Sequence, residues 1–316
     1  MEATISLSSG APFNYGAPPV SAIVTAYQRL EETLVTLRKI QECRPPPAEI
    51  LVHVDGNEVD CAVAIRTAFP GLQILVSGGN LGPGGSRNKL VAAAGNEWVA
   101  SFDDDSHPHD RDYFNRAMRA TETLPDAAVI AANIYHRGEP VPDEVSHNVQ
   151  QADFVGGGCV FSRTAFLDAG GYVPLPVAYG MEEVDLALRL NAKGRSVLRI
   201  PRLRVFHDTE LERHAAPDIT AGSIANIALL TYLRYPPSYW PVGLGQILNR
   251  VRWLISNGRW AGVCSGLLSI PHHCWRHRQF RKPVPATSLQ SYLALRRKPK
   301  PVLYSCQVRM GINTLT

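Results

Sequence analysis

Residues 20–55 read VSAIVTAYQRLEETLVTLRKIQECRPPPAEILVHVD, and this stretch predicts the fold class by itself. Val20 to Ala26 is a short apolar run, as expected for a buried strand, whereas Leu30 to Gln41 has the apolar spacing of an amphipathic helix. The prolines at 45–47 end that helix, and Glu49 to Asp55 predicts a second strand. A strand, a crossover helix and a second strand in this order are typical of a parallel sheet.

The same alternation continues further along the chain. A helical stretch reaches Phe69, Leu72 to Ser77 predicts a third strand, and Ser86 to Gly95 predicts a helix after a glycine-rich turn. Glu97 to Phe102 predicts a fourth strand. We therefore expect residues 20–218 to form an α/β domain with a Rossmann-like, doubly wound and mostly parallel sheet. Ligands of such sheets bind beyond the carboxyl ends of the strands.

The pattern is less regular towards the end of this domain and changes after it. Glu182 to Ala192 predicts a helix, and Ser196 to Ile200 and Leu203 to Phe206 predict two strands. Residues 1–19 are rich in Ser, Gly and Pro, which predicts a loose N-terminal arm. Residues 219–316 predict a separate helical extension rich in Trp and Arg.

The charges are distributed unevenly along the 316 residues. The chain has 32 Lys and Arg and 28 Asp and Glu, but residues 219–316 contain 13 of the basic residues and none of the acidic ones. Residues 1–218 therefore hold 19 basic and 28 acidic residues, a net charge of −9 beside +13. This division indicates a catalytic or cation-binding domain joined to a segment that meets an anionic surface. A hydrophobic content of 45% excludes a disordered or collagen-like chain.

The cysteines and the N-terminus predict a cytoplasmic protein. The six cysteines form no CxxC pair, which is typical of reduced packing residues. The start, MEATIS, lacks the basic residues and apolar run of a signal peptide. No window reaches the roughly 18 apolar residues of a spanning helix.

Three consecutive carboxylates, Asp103, Asp104 and Asp105, follow the fourth predicted strand. In an extended chain Asp103 and Asp105 face one side and Asp104 the other. Two carboxylates at this edge of the sheet suit Mg²⁺ or Mn²⁺, which also accept phosphate oxygens. A solvated acidic turn that caps the next helix explains the same residues, so the motif alone leaves both interpretations open.

Other polar residues are ambiguous when taken singly. Glu182, Glu183 and Asp185 begin a helix, where acids are favoured by the helix dipole, and a general base is the alternative. His207 ends a predicted strand and is either a metal ligand or an ordinary surface histidine. Arg87 follows a glycine-rich stretch that is only a weak phosphate-binding motif.

The ordered set of motifs is more specific than any member. It comprises Tyr27-Gln28-Arg29, VDGNEVD around Asp55, GGNLGPGGSRN, FDDDSHP, GGGCVFSRTAFLDAGGY, GMEEVDLALRLNAKG and VFHD. Over about residues 20–210 this series resembles the family 2 glycosyltransferases, inverting enzymes of the GT-A fold that use nucleotide-sugar donors.

The resemblance implies a role for each matching residue. For binding of the donor it implies Ala26, Tyr27, Arg29, Asp55, Arg87, Asn88, Asp103 and Asp104, of which Asp55 would contact the nucleoside base. For the metal it implies Asp105, His207 and Asp103, with Mg²⁺ or Mn²⁺ as the cofactor. On the acceptor side it implies Gly157 and Gly158. The family's base is the second acid of a Glu-Asp pair, which here is Glu183, so Glu182 and Asp185 remain alternatives.

The implied reaction is inverting transfer of a sugar to a saccharide or lipid-linked acceptor, as in surface polysaccharide or glycolipid assembly. Asn249 to Trp253, NRVRW, is similar to the QxxRW motif of processive synthases, but Asn replaces Gln and their membrane spans are missing. We therefore expect transfer of a single sugar. A nucleotidyltransferase is an alternative, although TAYQRLEE lacks its glycine-rich signature. A catalytically inactive scaffold that binds nucleotide sugar or membrane is another, because Glu occupies position 183.

The basic extension has two interpretations. It holds four of the five tryptophans, and Gln246 to Asn257 predicts an amphipathic helix with one apolar side. That side comprises Ile247, Val251, Leu254 and Ile255. Trp and Arg on such a helix suit an anionic membrane surface, whereas a helical bundle packed on the catalytic domain explains the same pattern. We expect no nucleic-acid partner, since no known module pattern is present.

Overall fold

The structure is a computed structural model that describes residues 5–7, 17–124, 126–141, 147–177, 179–208 and 216–302. The strands are β1 Ile5–Leu7, β2 Val20–Ala26, β3 Glu49–Val54, β4 Gln73–Val76, β5 Trp98–Asp103, β6 Ser106–Pro108, β7 Ala127–Tyr135, β8 Val149–Gln151, β9 Gly158–Ser162, β10 Ser196–His207 and β11 Lys300–Pro301. The helices are α1 Leu30–Gln41, α2 Val59–Ala68, α3 Gly82–Ala93, α4 Tyr113–Thr123, α5 Arg163–Ala169, α6 Glu182–Ala192, α7 Pro217–Arg234, α8 Trp240–Ser256, α9 Val263–Arg276 and α10 Ala286–Arg297.

All these strands belong to one sheet, whose order is β1-β4-β3-β2-β5-β9-β7-β10-β8-β11, with β6 paired to β10. The central strands β4, β3, β2 and β5 are parallel, as are β7 and β10, whereas β9 runs antiparallel between β5 and β7. The predicted α/β fold with a central parallel sheet is confirmed. The carboxyl ends of β2, β3 and β5 meet at one edge, which is where the predicted site residues follow.

Apolar residues alternate along the central strands and supply a core on each face of the sheet. Ile23 and Leu51 belong to the core that α3, α5 and α6 cover. Val24 and Val52 belong to the opposite core, which α1, α2 and α4 cover. Strands that are buried on both faces explain why β2 is almost continuously apolar.

The basic extension packs directly on the catalytic sheet through α7 and α10. Leu229, Leu233 and Tyr292 are buried in the same core as α6. A buried ion cluster also joins α6 to α7. Asp185 of α6 accepts hydrogen bonds from Arg189 of the same helix and from Arg234 of α7. The packed-bundle interpretation is therefore correct for α7 and α10, and the division of the chain at residue 218 remains a prediction.

Two local expectations were wrong, and the structure decides between the two interpretations of one predicted helix. Residues 196–206 form one strand, β10, rather than two, because its register with β7 shifts between Ile200 and Arg204 and so accommodates Pro201. Part of the expected loose arm is paired, since Ile5–Leu7 adds an antiparallel edge strand beside β4. The apolar side predicted for the 246–257 helix faces inward, where it packs against α7 and α9 in a small core around Leu254. Among the described residues, none of the helices has the length and apolarity to span a membrane.

Candidate functional site

The predicted carboxylate cluster lies where β5 ends. Asp103 is the last residue of β5, and Asp104 and Asp105 form the turn into β6. The end of β10 pairs with β6, so the Nε2 atom of His207 lies 3.0 Å from Oδ1 of Asp105. Ligand atoms of Asp103, Asp105 and His207 all lie within 4.8 Å of one another. The structure thus brings together the three residues that the sequence suggested for a metal.

Arg29 neutralises part of this acidic cluster. Its Nη1 atom donates to Oδ1 of Asp104 at 3.0 Å and also to Oδ2 of Asp105. Although burial opposes ionisation, hydrogen bonds from His207 and Arg29 lower the pKa of Asp105 to about 2. Burial raises the pKa of Asp104 to about 7, despite the charge of Arg29. Asp105 is therefore charged at neutral pH, as an oxygen ligand of a cation would have to be, whereas Asp104 holds the Arg29 side chain and the Tyr27 amide.

Arg87 lies beneath the cluster and connects it to the start of α6. Its guanidinium donates to Asp103 and, through Nε, to Oγ of Ser101 at 3.1 Å. Its Nη1 atom lies 4.0 Å from Oε2 of Glu182. This side chain is buried, so it holds Asp103 in place from within the protein rather than from the open cleft.

The second carboxylate oxygen of Glu182, Oε1, contacts the backbone at the start of α3. Oε1 accepts a hydrogen bond from the amide of Gly84 at 2.9 Å, and a Cβ atom at that position would lie only 2.2 Å from Oε1. Burial, followed by the charge of Glu183, raises its pKa well above the usual range for a glutamate. Glu182 is therefore a poor proton acceptor that fixes the first turn of α3.

Glu183 faces the carboxylate cluster across residues 156–158, here called the glycine strand. Its Oε1 atom accepts a hydrogen bond from the amide of Gly156 at 3.2 Å. A Cβ atom at Gly157 would lie 2.1 Å from Oδ2 of Asp103, so a side chain there would displace that carboxylate. Burial raises the pKa of Glu183, whereas Arg87 opposes the shift. Gly156 and Gly157 thus let Glu183 and Asp103 approach one segment of backbone, and of the two predicted acceptor-side glycines, Gly157 and Gly158, it is Gly157 that takes part.

The carboxylate of Asp185 is engaged in structural contacts, and Asp185 is therefore no longer a candidate base. It is fully buried, and its oxygens accept hydrogen bonds from Arg189 and Arg234. Although burial opposes the shift, these guanidinium groups lower its pKa. The helix-capping and ion-pair interpretation is the one that the geometry favours for this residue.

Three other predicted residues also make structural contacts. Asn88 exchanges two hydrogen bonds with the backbone of Tyr172, at 2.9 and 2.8 Å. Asp55 accepts hydrogen bonds from Oγ of Ser77 at 2.6 Å and from the Gly82 amide at 2.9 Å. The Cα of Gly158 packs against Ile134. Direct contact of these residues with substrates stays a prediction, and their evident role is to hold the loops around the cleft.

The cleft above the cluster has a volume of about 480 Å³. Its lining includes six of the eight predicted donor-side residues: Ala26, Tyr27, Arg29, Asp55, Asp103 and Asp104. The predicted metal ligands Asp105 and His207 line it as well. Pro176 and Ile219 line it as well. Ile219 belongs to α7, so the extension contributes to the wall of this cleft.

A second cavity, of about 670 Å³, lies between the start of α6 and the extension. Its residues were not predicted as site residues, although NRVRW supplies three of them: Asn249, Arg250 and Trp253. The available signal was therefore this motif within an acid-free segment. Its remote position in the sequence concealed its nearness to Glu183, whose neighbour Val184 also lines the cavity.

Comparisons with known proteins agree with this geometry. The sequence profile of "Glycosyl transferase family 2" matches residues 21–170. No curated protein sequence matches the chain significantly. The mannosyltransferase PcManGT from Pyrobaculum calidifontis, in complex with GDP-Man and Mn²⁺, has a similar structure, with a TM-score of 0.54 and 15% identity over 91% of this chain and 88% of that one.

Two further solved structures share the fold. TarS 1–349 of S. aureus, in complex with UDP-GlcNAc, matches with a TM-score of 0.51 and 14% identity over 87% of this chain and 91% of that one. GalNAc-T7 with UDP, GalNAc and Mn²⁺ matches with a TM-score of 0.54 and 12% identity over 71% of this chain and 49% of that one. At these identities the likeness establishes a common fold.

Proposed function

We propose that this chain, whose residues 21–170 match the profile of glycosyl transferase family 2, moves a single sugar from a nucleotide-sugar donor to an acceptor hydroxyl, with inversion at the anomeric carbon. The observation that carries the proposal is the arrangement of Asp103, Asp105 and His207 at the mouth of the donor-side cleft. Glu183 lies across the glycine strand from them. Family membership favours glycosyl transfer over nucleotidyl transfer.

Two carboxylates and one imidazole suit a divalent cation that accepts both oxygen and nitrogen ligands, such as Mn²⁺, and the carboxylates also suit Mg²⁺. Asp105, His207 and Asp103 would hold the ion. When bound, it would supply positive charge to a departing nucleoside diphosphate. The mannosyltransferase and GalNAc-T7 structures contain Mn²⁺, which supports this assignment.

We assign proton abstraction to Glu183. Its carboxylate is half-buried, and burial brings its pKa closer to neutral pH, where a general base is most effective. It would accept the proton of the acceptor hydroxyl as the oxygen attacks the anomeric carbon from the face opposite the leaving group. The new glycosidic bond forms as the bond to the diphosphate breaks. A single displacement of this kind needs no carboxylate nucleophile.

A thermal-shift screen of nucleoside diphosphates and nucleotide sugars, with and without Mn²⁺, tests this function. We expect one nucleotide series to raise the melting temperature only when Mn²⁺ is present, because a ligand that binds the native state stabilises it. At a free concentration of 100 times Kd, the stabilisation is about 2.7 kcal/mol. The series with the largest shift identifies the donor. Absence of any metal-dependent shift across uridine, guanosine and deoxythymidine donors would contradict the proposal, and transfer to an acceptor would exclude an inactive scaffold.

We also propose that the extension attaches the enzyme to an anionic membrane surface, where a lipid-linked acceptor of surface polysaccharide or glycolipid assembly would be presented. Trp240, Leu244 and Leu248 are exposed at four-residue intervals on α8, and therefore on one face. Leu268 and Trp275 of α9 are 82% and 61% exposed. Aromatic and aliphatic side chains beside many arginines, without acidic residues, suit a lipid interface of negative charge.

Vesicle flotation of the full-length chain tests the attachment. Leu244→Ser with Leu248→Ser should reduce binding to vesicles of phosphatidylcholine and phosphatidylglycerol at least tenfold, because burying one leucine contributes about 1.5–3 kcal/mol. Val59→Ser with Val63→Ser is the matched control, since these valines are also exposed and four residues apart, but on α2 of the catalytic domain. Binding should weaken as salt rises. Equal losses in both pairs, or equal binding to neutral vesicles, would refute a specific surface. Removal of residues 219–316 is unsuitable, because it would strip Leu229 and Leu233 from the core.

A further inference from the structure

The second cavity joins the reaction site to the basic extension. On one side it is lined by Tyr179, Gly180 and Val184, which flank or precede Glu183 at the start of α6. On the other side it is lined by residues of α8 and α10. It therefore begins beside the proposed base and extends between the catalytic domain and the extension.

Helix α7 connects this cavity to the donor-side cleft. Ile219 lines the cleft, whereas Ser223 and Ile227 line the second cavity. These residues are four apart and share one face of the helix, so the two spaces succeed each other along it. With a rise of 1.5 Å per residue, Ile219 and Ser223 are about 6 Å apart along the axis. A molecule in the second cavity would thus reach the acceptor side of Glu183.

The polar lining of the cavity is cationic. Arg250, Arg296 and Arg297 line it, and no carboxylate is among its described lining residues. Arg296 is partly neutralised, since its Nε atom lies 3.3 Å from Oδ2 of Asp153 outside the cavity. Among the described residues, Arg250 contacts neutral groups: Nε donates to Oγ of Ser223 at 3.1 Å, and the guanidinium carbon lies 4.7 Å from the ring centre of Trp253.

One buried donor atom of Arg250 lacks a hydrogen-bond acceptor. Its Nη2 atom is buried and has no hydrogen-bond partner among the described residues. Burial lowers the pKa of this side chain, Arg259 adds to the effect, and Tyr179 opposes it. A buried donor of a charged group is costly without an acceptor. An anionic ligand in the cavity would supply one.

We propose that this cavity binds the phosphate of a phosphorylated acceptor and thereby delivers the adjoining sugar hydroxyl to Glu183. The inference rests on the proposed glycosyl transfer. A guanidinium group can donate two parallel hydrogen bonds to one phosphate, and Arg250 and Arg297 both supply such a group. Two aromatic residues, Tyr179 and Trp253, line the same cavity and supply apolar surface beside the arginines. The phosphate belongs either to a lipid-linked saccharide or to a free sugar phosphate.

Titration calorimetry of the full-length protein with inorganic pyrophosphate, in EDTA, tests the site without the metal-dependent donor. Arg250→Gln and, separately, Arg297→Gln should each weaken pyrophosphate binding about tenfold or more, the effect of losing one hydrogen bond to a charged group. Arg276→Gln is the matched control, because Arg276 is an exposed arginine of the extension that does not line the cavity. Affinities unchanged in both cavity variants, or an equal loss in the control, would overturn the proposal.

Ligand binding at the donor-side cleft provides an independent control. Asp105→Ala should keep pyrophosphate binding in EDTA, because Asp105 lines only the donor-side cleft of these two spaces. Nucleoside diphosphate binding with Mn²⁺ should persist in Arg250→Gln, which also shows that this variant is folded. If no nucleotide binds the wild type, the proposed function fails, whereas nucleotide binding without pyrophosphate binding in EDTA defeats only the acceptor site.

Competition separates the two sources of phosphate. Displacement of pyrophosphate by glucose 1-phosphate supports a soluble acceptor, and displacement only by vesicles that contain a polyprenyl phosphate supports a lipid-linked one. In transfer assays Arg250→Gln should raise the KM of that acceptor while the donor KM stays unchanged. Failure of both competitors would refute a phosphate acceptor.

Discussion

Asp105→Ala is expected to abolish sugar transfer, even at saturating Mn²⁺ or Mg²⁺. Asp105 is a buried carboxylate whose pKa of about 2 keeps it charged, and it lies in the group with Asp103 and His207. Loss of a metal that neutralises the leaving diphosphate costs several kcal/mol in the transition state, which corresponds to a decrease in kcat of about a thousandfold or more. Initial rates across a metal titration measure the effect.

Asp112→Ala provides the control for this variant, because Asp112 is an exposed aspartate paired with Arg116 on the surface. It should retain normal transfer. Asp105→Ala also removes an acceptor of Arg29 and His207, so its melting temperature without ligand must be compared with the wild type. Near-normal turnover in a folded Asp105→Ala protein would contradict the metal site and with it the proposed mechanism.

Glu183→Gln should decrease kcat about 10²- to 10⁴-fold, the usual contribution of a positioned general base. The amide oxygen of glutamine can still accept the hydrogen bond from Gly156, so nucleotide binding should be unaffected. A base acts in its ionised form, and burial raises the pKa of Glu183. Wild-type activity should therefore decline as the pH falls through a value above the usual glutamate pKa of about 4.3. This acidic limb should be absent from the residual activity of the variant.

Glu182→Gln is the discriminating comparison. Burial, followed by the charge of Glu183, raises its pKa well above the usual range, which favours the neutral carboxyl form that glutamine resembles. The hydrogen bond that Glu182 accepts from Gly84 can also be kept. We expect a small effect on kcat. A loss as large as that of Glu183→Gln, or persistence of the acidic limb in Glu183→Gln, would move the base to Glu182.

Local pattern predicted much of the fold correctly. The bounds predicted for β2, α1 and α6 coincide with the structure, because their apolar periodicity and the residues that end them are local features of the chain. The prediction failed at Pro201, where a shift of register keeps β10 continuous. For the 246–257 helix the local pattern left open what covers the apolar side, which α7 and α9 cover in the structure.

The motifs likewise indicated the family whose profile matches residues 21–170 and supplied candidate site residues, since residue types and their order are properties of the chain alone. Which of those residues act together depends on distances across the sheet. Asp105 and His207 are remote in sequence, and the pairing of β10 with β6 brings them to 3.0 Å. The sequence could not rank Glu182, Glu183 and Asp185, which all lie in the first turn of one helix.

Their environments differ because each side chain meets a different part of the fold. Asp185 meets two arginines, Glu182 meets the amide of Gly84, and Glu183 meets the glycine strand beside the acidic cluster. The same holds for the extension, whose composition is visible in the sequence while its second cavity arises only from the packing of α7, α8 and α10. Composition and periodicity are local and are readable in the chain, whereas burial and charge pairing are set by contacts between distant segments.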